Sequence, residues 1–244
     1  MRPIMRILGI ETSCDETAAA VVEADGGRFS VRTNIIASQA ALHAKTQGVV
    51  PEVAAREHVS VITSVIDRAL EGTPRTPEGI PEIDRIAVTA GPGLMTSLTI
   101  GVETAKTLAS VWRKPLVSVN HIEGHLVSSQ LTTEMFSSLP ALALIVSGGH
   151  TELVRIRAWG QYEKLGATRD DAAGEAFAKV AKLLGLEYPG GPIISQHATR
   201  GNASAISFPR SMITSDDFDF SFSGLKTAVL YHTQKHGLPA REQE

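Results

Sequence analysis

Short apolar runs separated by polar clusters define the start of the chain. Residues 6–11 form one such run, residues 12–17 are polar, and a second apolar run covers 18–22. Two short apolar runs joined by a polar tip predict a tight β-hairpin. Residues 29–37 are rich in β-branched side chains and predict a third strand. The chain is therefore expected to open with three consecutive strands.

A helical pattern follows these strands. Pro51 can open a helix, and apolar side chains beyond it recur at +3/+4 spacing, which predicts one buried helix face. They are Val59, Ile62, Ile66, Ala69 and Leu70. The pattern then predicts strands over 85–89 and 115–119, with a helix over 94–111 between them.

The opening pattern recurs in the second half of the chain. Residues 141–146 predict a strand, 147–151 a Gly-rich polar turn and 152–156 another strand. This repetition predicts an α/β protein with duplicated βββαβα lobes, the architecture of actin, sugar kinases and Hsp70-type ATPases. We expect a first lobe over 1–139 and an incomplete second lobe over 140–244. In such a fold the two hairpin turns face each other across a cleft that holds phosphate.

Composition narrows the class of protein. The 244 residues are 43% hydrophobic and 20% charged, which is enough for a packed core. The net charge of −3 gives no overall basic field for nucleic acid, although a local basic patch is compatible with it. The single cysteine, Cys14, rules out an internal disulfide and favours a reducing compartment. With no apolar run of membrane-spanning length and no signal-like start, we expect a cytoplasmic protein that does not bind membranes.

Two histidines are the first candidates for chemistry. His121 and His125 lie four residues apart, so on a helix they share one face and can bind one divalent metal ion. The spacing resembles the zinc-protease motif H-E-x-x-H, but Glu123 stands in the wrong position and points away from that face. On spacing alone, a pair of ordinary surface histidines is an equal alternative.

Eight sequence blocks lie in order along nearly the whole chain. They are GIETSCDET at 9–17, GVVPE at 48–52, TAGPGL at 89–94, HIEGH at 121–125, VSGGHT at 146–151, AGEAF at 173–177, YPGGP at 188–192 and FSFSGLKT at 220–227. Together they resemble the bacterial TsaD family, once described as O-sialoglycoprotein endopeptidases. The resemblance implies an acyltransferase that moves threonylcarbamoyl from threonylcarbamoyl-adenylate to N6 of the adenosine 3′ of the anticodon, in tRNAs that read ANN codons. It also implies an actin-like fold and two partner proteins besides tRNA, a shorter TsaB-like paralogue and a TsaE-like ATPase.

The resemblance also implies roles for single residues. His121 and His125 match metal ligands; the metal is iron by resemblance, with zinc possible because imidazole suits both. Asp15 and Glu16 match acidic residues needed for transfer, where a carboxylate can take the proton of the attacking amine. Asp15 is the preferred base, although in an unfamiliar chain both would be ordinary solvated turn residues. The substrate-binding positions are Ile145, Val146, Ser147, Gly148, Gly149 and Gly191.

Two other reactive side chains are expected to have structural and not catalytic roles. Cys14 is expected to be a small packed residue and not a nucleophile, because no histidine is near it in sequence. His58 lies on the helix that Pro51 opens, where a structural or surface role is more expected than metal ligation.

The chain departs from the family pattern in two places. Ala178 stands where the family has an Asp that binds a ribose hydroxyl of the donor, and losing that bond costs about 1 kcal/mol. The sequence also stops before the family's third metal ligand, an Asp, and before an Asn that contacts the donor. We therefore expect the chain alone to be poorly active or inactive.

Three other functions stay open from the sequence. The old family name suggests a metalloprotease, against which the position of Glu123 argues. The fold alone permits an actin-like kinase or ATPase. A truncated, non-catalytic paralogue that acts as a scaffold is favoured by Ala178 and by the absent third ligand.

Overall fold

The computed structural model of the chain describes residues 4–46, 48–131 and 139–237. The chain divides into two compact units, residues 1–135 and 136–244. The division expected from the sequence, between residues 139 and 140, lies close to the end of the first unit.

The first unit is built on a five-stranded sheet. Its strands lie in the order β3-β2-β1-β4-β5. The first three pair antiparallel, whereas β1, β4 and β5 run parallel, so their carboxyl ends meet at one edge. The predicted hairpin and third strand are thus confirmed. The strands are β1 (Met5–Glu11), β2 (Glu16–Asp25), β3 (Arg28–Ser38), β4 (Arg85–Gly91) and β5 (Leu116–Asn120).

Helices complete the first unit. They are α1 (Ala40–Ala44), α2 (Pro51–Ala69), α3 (Met95–Trp112) and α4 (His121–Ser128). The hydrophobic core combines the sheet with α2 and α3 and includes Leu8, Val21, Ile62, Ile86 and Val88. None of the helices in the described residues has the length and apolar character needed to cross a bilayer.

The buried face of α2 is shifted from the predicted one. Ile62 and Ile66 are buried as expected, but Val59 is 62% exposed, so its predicted place in the core is wrong. His58, its neighbour, is fully buried instead. The face that meets the sheet is centred on His58, Ile62 and Val65, which recur at helical spacing, and Val59 lies at its flank.

The second unit repeats the strand–turn–strand opening. A three-stranded antiparallel sheet has the order β6-β7-β8, and β6 coincides with the predicted strand. Within residues 139–237, no further strand joins this sheet. The α/β class and the duplicated actin-like opening are therefore confirmed, with the second lobe shorter than the first. The elements are β6 (Ala141–Val146), β7 (Thr151–Ala158), β8 (Gln161–Ala167), α5 (Ala173–Leu183), α6 (Gly190–Ala198) and α7 (Ser223–His236).

Candidate functional site

The two histidines lie at the start of α4. Asn120 caps this helix, because its side-chain oxygen accepts the backbone N–H groups of Ile122, at 2.8 Å, and Glu123, at 3.3 Å. The imidazole rings of His121 and His125 are edge to face, with centroids 4.6 Å apart. Their Nε2 atoms are 3.1 Å apart. The cap thus fixes a helix start that turns both Nε2 atoms towards one point.

This arrangement fits a shared metal ion. Imidazole nitrogens bind zinc at about 2.0–2.1 Å, so two ligands of one ion lie at most about 4.2 Å apart. The 3.1 Å separation of the His121 and His125 Nε2 atoms is within that limit. Among residues 4–46, 48–131 and 139–237, no group of three or more His, Cys, Asp or Glu side chains could hold a metal. The described chain therefore offers a two-histidine site.

Glu11, the last residue of β1, supports His121 from the opposite edge of the ring. Its Oε2 lies 3.4 Å from His121 Nδ1, and Ser13 Oγ lies 3.2 Å from the same nitrogen. Desolvation raises the pKa of Glu11, but hydrogen bonds from His121, Ser13 and Thr89 outweigh it and lower the pKa to about 2. The resulting anion favours a proton on Nδ1 and a lone pair on Nε2, as carboxylates behind metal-binding histidines do. Sequence reasoning did not assign Glu11 this role.

The turn between β1 and β2 packs closely on the neighbouring elements. Thr12 is fully buried, and its hydroxyl donates to the carbonyl of Ser97 on α3, at 2.8 Å. The Ser13 carbonyl accepts the N–H of Leu94, at 2.8 Å. A Cβ on Gly93 would come within 2.6 Å of that same carbonyl oxygen. Only glycine therefore allows this approach, and the turn is held firmly beside α3.

The predicted acidic residues lie at the end of this turn, and Glu16 is the first residue of β2. Asp15 is half-buried and Glu16 is exposed, and the turn reaches the histidines through Ser13. Partial desolvation and the charges of Asp15 and Glu11 raise the pKa of Glu16. Desolvation and the same carboxylate neighbours raise the pKa of Cys14 to about 12. Cys14 is exposed, not packed as expected, but its thiol stays protonated at neutral pH, which makes it a poor nucleophile.

The predicted substrate turn of the second unit follows β6. Ser147 closes it, because its N–H donates to the His150 carbonyl at 2.9 Å and its Oγ accepts the N–H groups of Gly149 and His150. Gly174, the second residue of α5, donates its N–H to the Ser147 carbonyl at 3.1 Å. A Cβ on Gly174 would lie 2.5 Å from that oxygen and 2.9 Å from Gly148 Cα. The turn thus rests directly on the N-terminus of α5. Just before it, Ile145 is buried and Val146 is 56% exposed.

Two positions that the resemblance links to the donor lie where α5 meets α6. A Cβ on Gly190, the first residue of α6, would lie 3.1 Å from Ala178 Cα and 2.3 Å from Ala181 Cβ. Gly190 therefore allows the two helices to touch. Gly191 follows it, and a Cβ there would lie 3.9 Å from Phe177 Cβ. Ala178 thus lies against Gly190, and Gly191 lies beside Phe177, the residue before Ala178.

The loop between β8 and α5 holds the start of α7, a feature the sequence did not predict. Asp170 accepts the backbone N–H groups of Phe222, at 2.8 Å, and Ser223, at 3.3 Å. It also accepts the hydroxyl of Ser221. A carboxylate at a helix N-terminus satisfies N–H groups that the helix leaves unpaired. The FSFSGLKT block is therefore anchored to this loop.

Asp171, the next residue, lies between two lysines. Its Oδ1 is 2.6 Å from Lys179 Nζ on α5, and its Oδ2 contacts Lys226 Nζ on α7. Burial raises the pKa of Asp171, but its hydrogen bonds with Lys179 and Lys226 and their charges lower it below the ordinary value. Asp171 thus joins α5 to α7 through two ion pairs.

Known proteins resemble nearly the whole chain. Residues 30–242 match the family described as TsaD, tRNA N6-adenosine threonylcarbamoyltransferase. A curated protein of that name from Anaeromyxobacter sp. (strain Fw109-5) is 55% identical over 96% of this chain and 68% of its own length. One from Thermomicrobium roseum is 55% identical over 93% of this chain and 61% of its own length. The chain thus spans about two thirds of the length of these relatives. Among solved structures, YeaZ from Pseudomonas aeruginosa is 17% identical over 65% of each chain, with a TM-score of 0.38.

Proposed function

Because the chain belongs to the TsaD family of tRNA N6-adenosine threonylcarbamoyltransferases, we propose that it takes part in the transfer of threonylcarbamoyl from threonylcarbamoyl-adenylate to tRNA. The acceptor is N6 of the adenosine 3′ of the anticodon in tRNAs that read ANN codons. The family match carries this proposal, since its residues 30–242 include the histidine pair and the turn of the second unit. The names of the relatives favour the transferase over the protease, kinase and scaffold alternatives.

We propose that His121 and His125 hold one divalent metal ion, iron or zinc. The 3.1 Å separation of their Nε2 atoms supports this, and so does the Glu11 carboxylate behind His121. When bound, the metal would neutralise the donor phosphate and polarise the group being transferred. Glu11 and Ser13 keep the His121 ring oriented for that ligand.

The acidic turn supplies the proton acceptor in this proposal. The N6 nitrogen attacks the carbamoyl carbon, the bond from that carbon to the phosphate oxygen breaks, and AMP leaves with the electron pair. The amine proton passes to a carboxylate of the turn. A base works best when its pKa is near the operating pH, and partial desolvation raises the pKa of Glu16 towards it. Glu16 is therefore a candidate base beside Asp15, which the sequence favours.

Donor binding falls to the second unit in this proposal. The backbone of residues 145–149 and Gly191, which lies beside Phe177, contact the adenylate. Ala178 offers no acceptor for a ribose hydroxyl, so this chain binds the donor more weakly than a chain with Asp there. TsaB-like and TsaE-like proteins are the proposed partners, in the cytoplasm, and we expect slow or no transfer without them.

A transfer assay with labelled donor tests the function. The purified chain is incubated with donor carrying [14C]threonine, unmodified tRNA and zinc or iron, with and without the TsaB-like and TsaE-like proteins. We expect label on tRNA that His121→Ala abolishes. The control, His236→Ala, removes a histidine of the His232–His236 pair on α7, whose rings are 4.5 Å apart, and should leave transfer unchanged. If no label reaches tRNA under any condition, the proposed transfer is refuted. If His121→Ala transfers as well as the unaltered chain, the metal role is refuted.

A further inference from the structure

We propose that His58 is a positioning residue for the acidic turn. Its imidazole hydrogen-bonds the Cys14 carbonyl and the Thr17 hydroxyl, one on each side of Asp15 and Glu16, so that these carboxylates are presented in one arrangement. The effect on transfer rests on the proposed function, whereas the effect on the turn can be measured without it.

His58 makes two hydrogen bonds inside the first unit. It is fully buried on α2. Its Nε2 lies 3.0 Å from the Cys14 carbonyl oxygen, and its Nδ1 lies 2.7 Å from Thr17 Oγ1. A carbonyl only accepts, so Nε2 carries the proton, and Nδ1 accepts the Thr17 hydroxyl. One neutral tautomer therefore satisfies the whole ring, and burial costs it no hydrogen bond.

The two partners of His58 bracket the proposed catalytic residues. Cys14 precedes Asp15, and Thr17 follows Glu16. One rigid ring thus spans the two-residue segment and ties it to α2. His58 thus joins α2 to the turn through the Cys14 carbonyl and to the start of β2 through the buried Thr17.

A second buried histidine reinforces the same segment from the other side. The Asp15 carbonyl accepts the N–H of Gln39, at 3.0 Å. The Gln39 side-chain oxygen lies 3.0 Å from Nε2 of His43, which is 1% exposed. His43 acts through a side chain one step removed, whereas His58 touches the turn directly. The structure therefore assigns the main positioning role to His58.

Cys14 offers a probe of the turn that needs no enzymatic activity. It is the only cysteine of the chain and is exposed. Its thiol reacts as the thiolate, which burial and then the nearby Asp15, Glu16 and Glu11 carboxylates disfavour, so its rate of alkylation depends on how the turn is held. When the turn moves away from its present arrangement, that rate changes. Alkylation by iodoacetamide at pH 8 therefore measures whether the turn is held.

The test compares three variants. His58→Leu removes both hydrogen bonds, and His58→Gln supplies one amide donor and one carbonyl acceptor. Ile62→Ala, one turn further along α2 and also buried, is the matched control for lost core packing. We expect His58→Leu to alkylate about tenfold faster, as a thiol pKa one unit lower would give. His58→Gln should restore most of the original rate, and Ile62→Ala should lower Tm while leaving the rate unchanged.

Transfer provides the second readout. His58→Leu should lower kcat with KM for tRNA unchanged, because the carboxylates and not the tRNA surface move. If His58→Leu fails to fold, Thr17→Val removes one of the two bonds and should give a smaller rise in alkylation. An alkylation rate within twofold of the original in a folded His58→Leu or Thr17→Val chain overturns the proposal. If the unaltered chain transfers nothing, the proposed function fails, and the alkylation result still decides the role of His58.

Discussion

Replacing Glu11 with Gln tests how the histidine site is supported. Glu11 Oε2 lies 3.4 Å from His121 Nδ1, on the ring edge opposite the proposed metal. Gln has nearly the same shape but no charge, so the change removes the electrostatic support of His121 and little packing. Loss of such a carboxylate lowers metal affinity about 10- to 100-fold. That range equals about 1.4–2.8 kcal/mol of binding free energy.

The geometry of Glu11 points to the lower end of that range. The contact at 3.4 Å is long for a charged hydrogen bond. Ser13 Oγ, at 3.2 Å, shares the same nitrogen and remains in the variant. We therefore expect Glu11→Gln to weaken metal binding about tenfold, or about 1.4 kcal/mol.

A competition titration against a chromophoric chelator measures this loss. Zinc is added at pH 7.5 to the unaltered chain, Glu11→Gln, His121→Ala and the control Glu123→Gln. Glu123 shares the first turn of α4 and carries the same charge, but only its backbone N–H takes part in the Asn120 cap. Glu123→Gln should bind like the unaltered chain, and His121→Ala should not bind measurably. If Glu11→Gln binds zinc within twofold of the unaltered chain, Glu11 does not orient His121 for metal binding.

Three further predictions concern the second unit. Asp171→Asn should lower the free energy of unfolding by about 1 kcal/mol at pH 7, because two lysines lose a charged partner while Lys179 keeps Glu175. The folded state lowers the pKa of Asp171 below 3.8, so this stability is present above pH 3.8 and is lost as pH falls below it. In urea unfolding, the difference in unfolding free energy between the unaltered chain and Asp171→Asn should therefore be smaller at pH 3 than at pH 7. An equal difference at both pH values would contradict the ion pairs. Gly174→Ala should lower the free energy of unfolding by about 1–3 kcal/mol in the same assay, because the new Cβ would lie 2.5 Å from the Ser147 carbonyl oxygen. An unchanged urea midpoint would show that the turn moves aside without cost. Ala178→Asp should tighten donor binding about fivefold in calorimetry with a non-reactive adenylate analogue, or about 1 kcal/mol, and no gain would show that position 178 does not face the ribose.

Local patterns were enough to predict much of the fold. The opening hairpin follows from two apolar runs around a polar tip, and strand β6 follows from an apolar run before a Gly-rich turn. The facing of His121 and His125 follows from helical spacing, because four residues make about one turn. The prediction that Val59 is buried is wrong because hydrophobicity alone does not say which of two neighbouring residues faces the sheet. The polar His58 is the buried one.

Features that depend on distant contacts were not predictable from the sequence. Glu11 is 110 residues from His121, and they meet only because β1, β4 and β5 align their carboxyl ends. The ion pair of Asp171 with Lys226 depends on α7 returning to the β8–α5 loop, a contact across 55 residues. No periodicity encodes either meeting, since each is decided by the order of strands or the path of a later helix.

The parallel edge that joins Glu11 to His121 also gives the site an order of assembly. His121 and His125 come together as soon as one short helix forms, whereas Glu11 arrives only after the long chain loop between β1 and β5 has closed. A partly folded first unit would thus have two imidazoles without a carboxylate to orient them. Once the five-stranded sheet has formed, Glu11 would orient the His121 ring. If the proposed metal binds, its affinity would therefore report how completely the first unit has folded, and a tightly bound ion would favour the closed sheet by mass action.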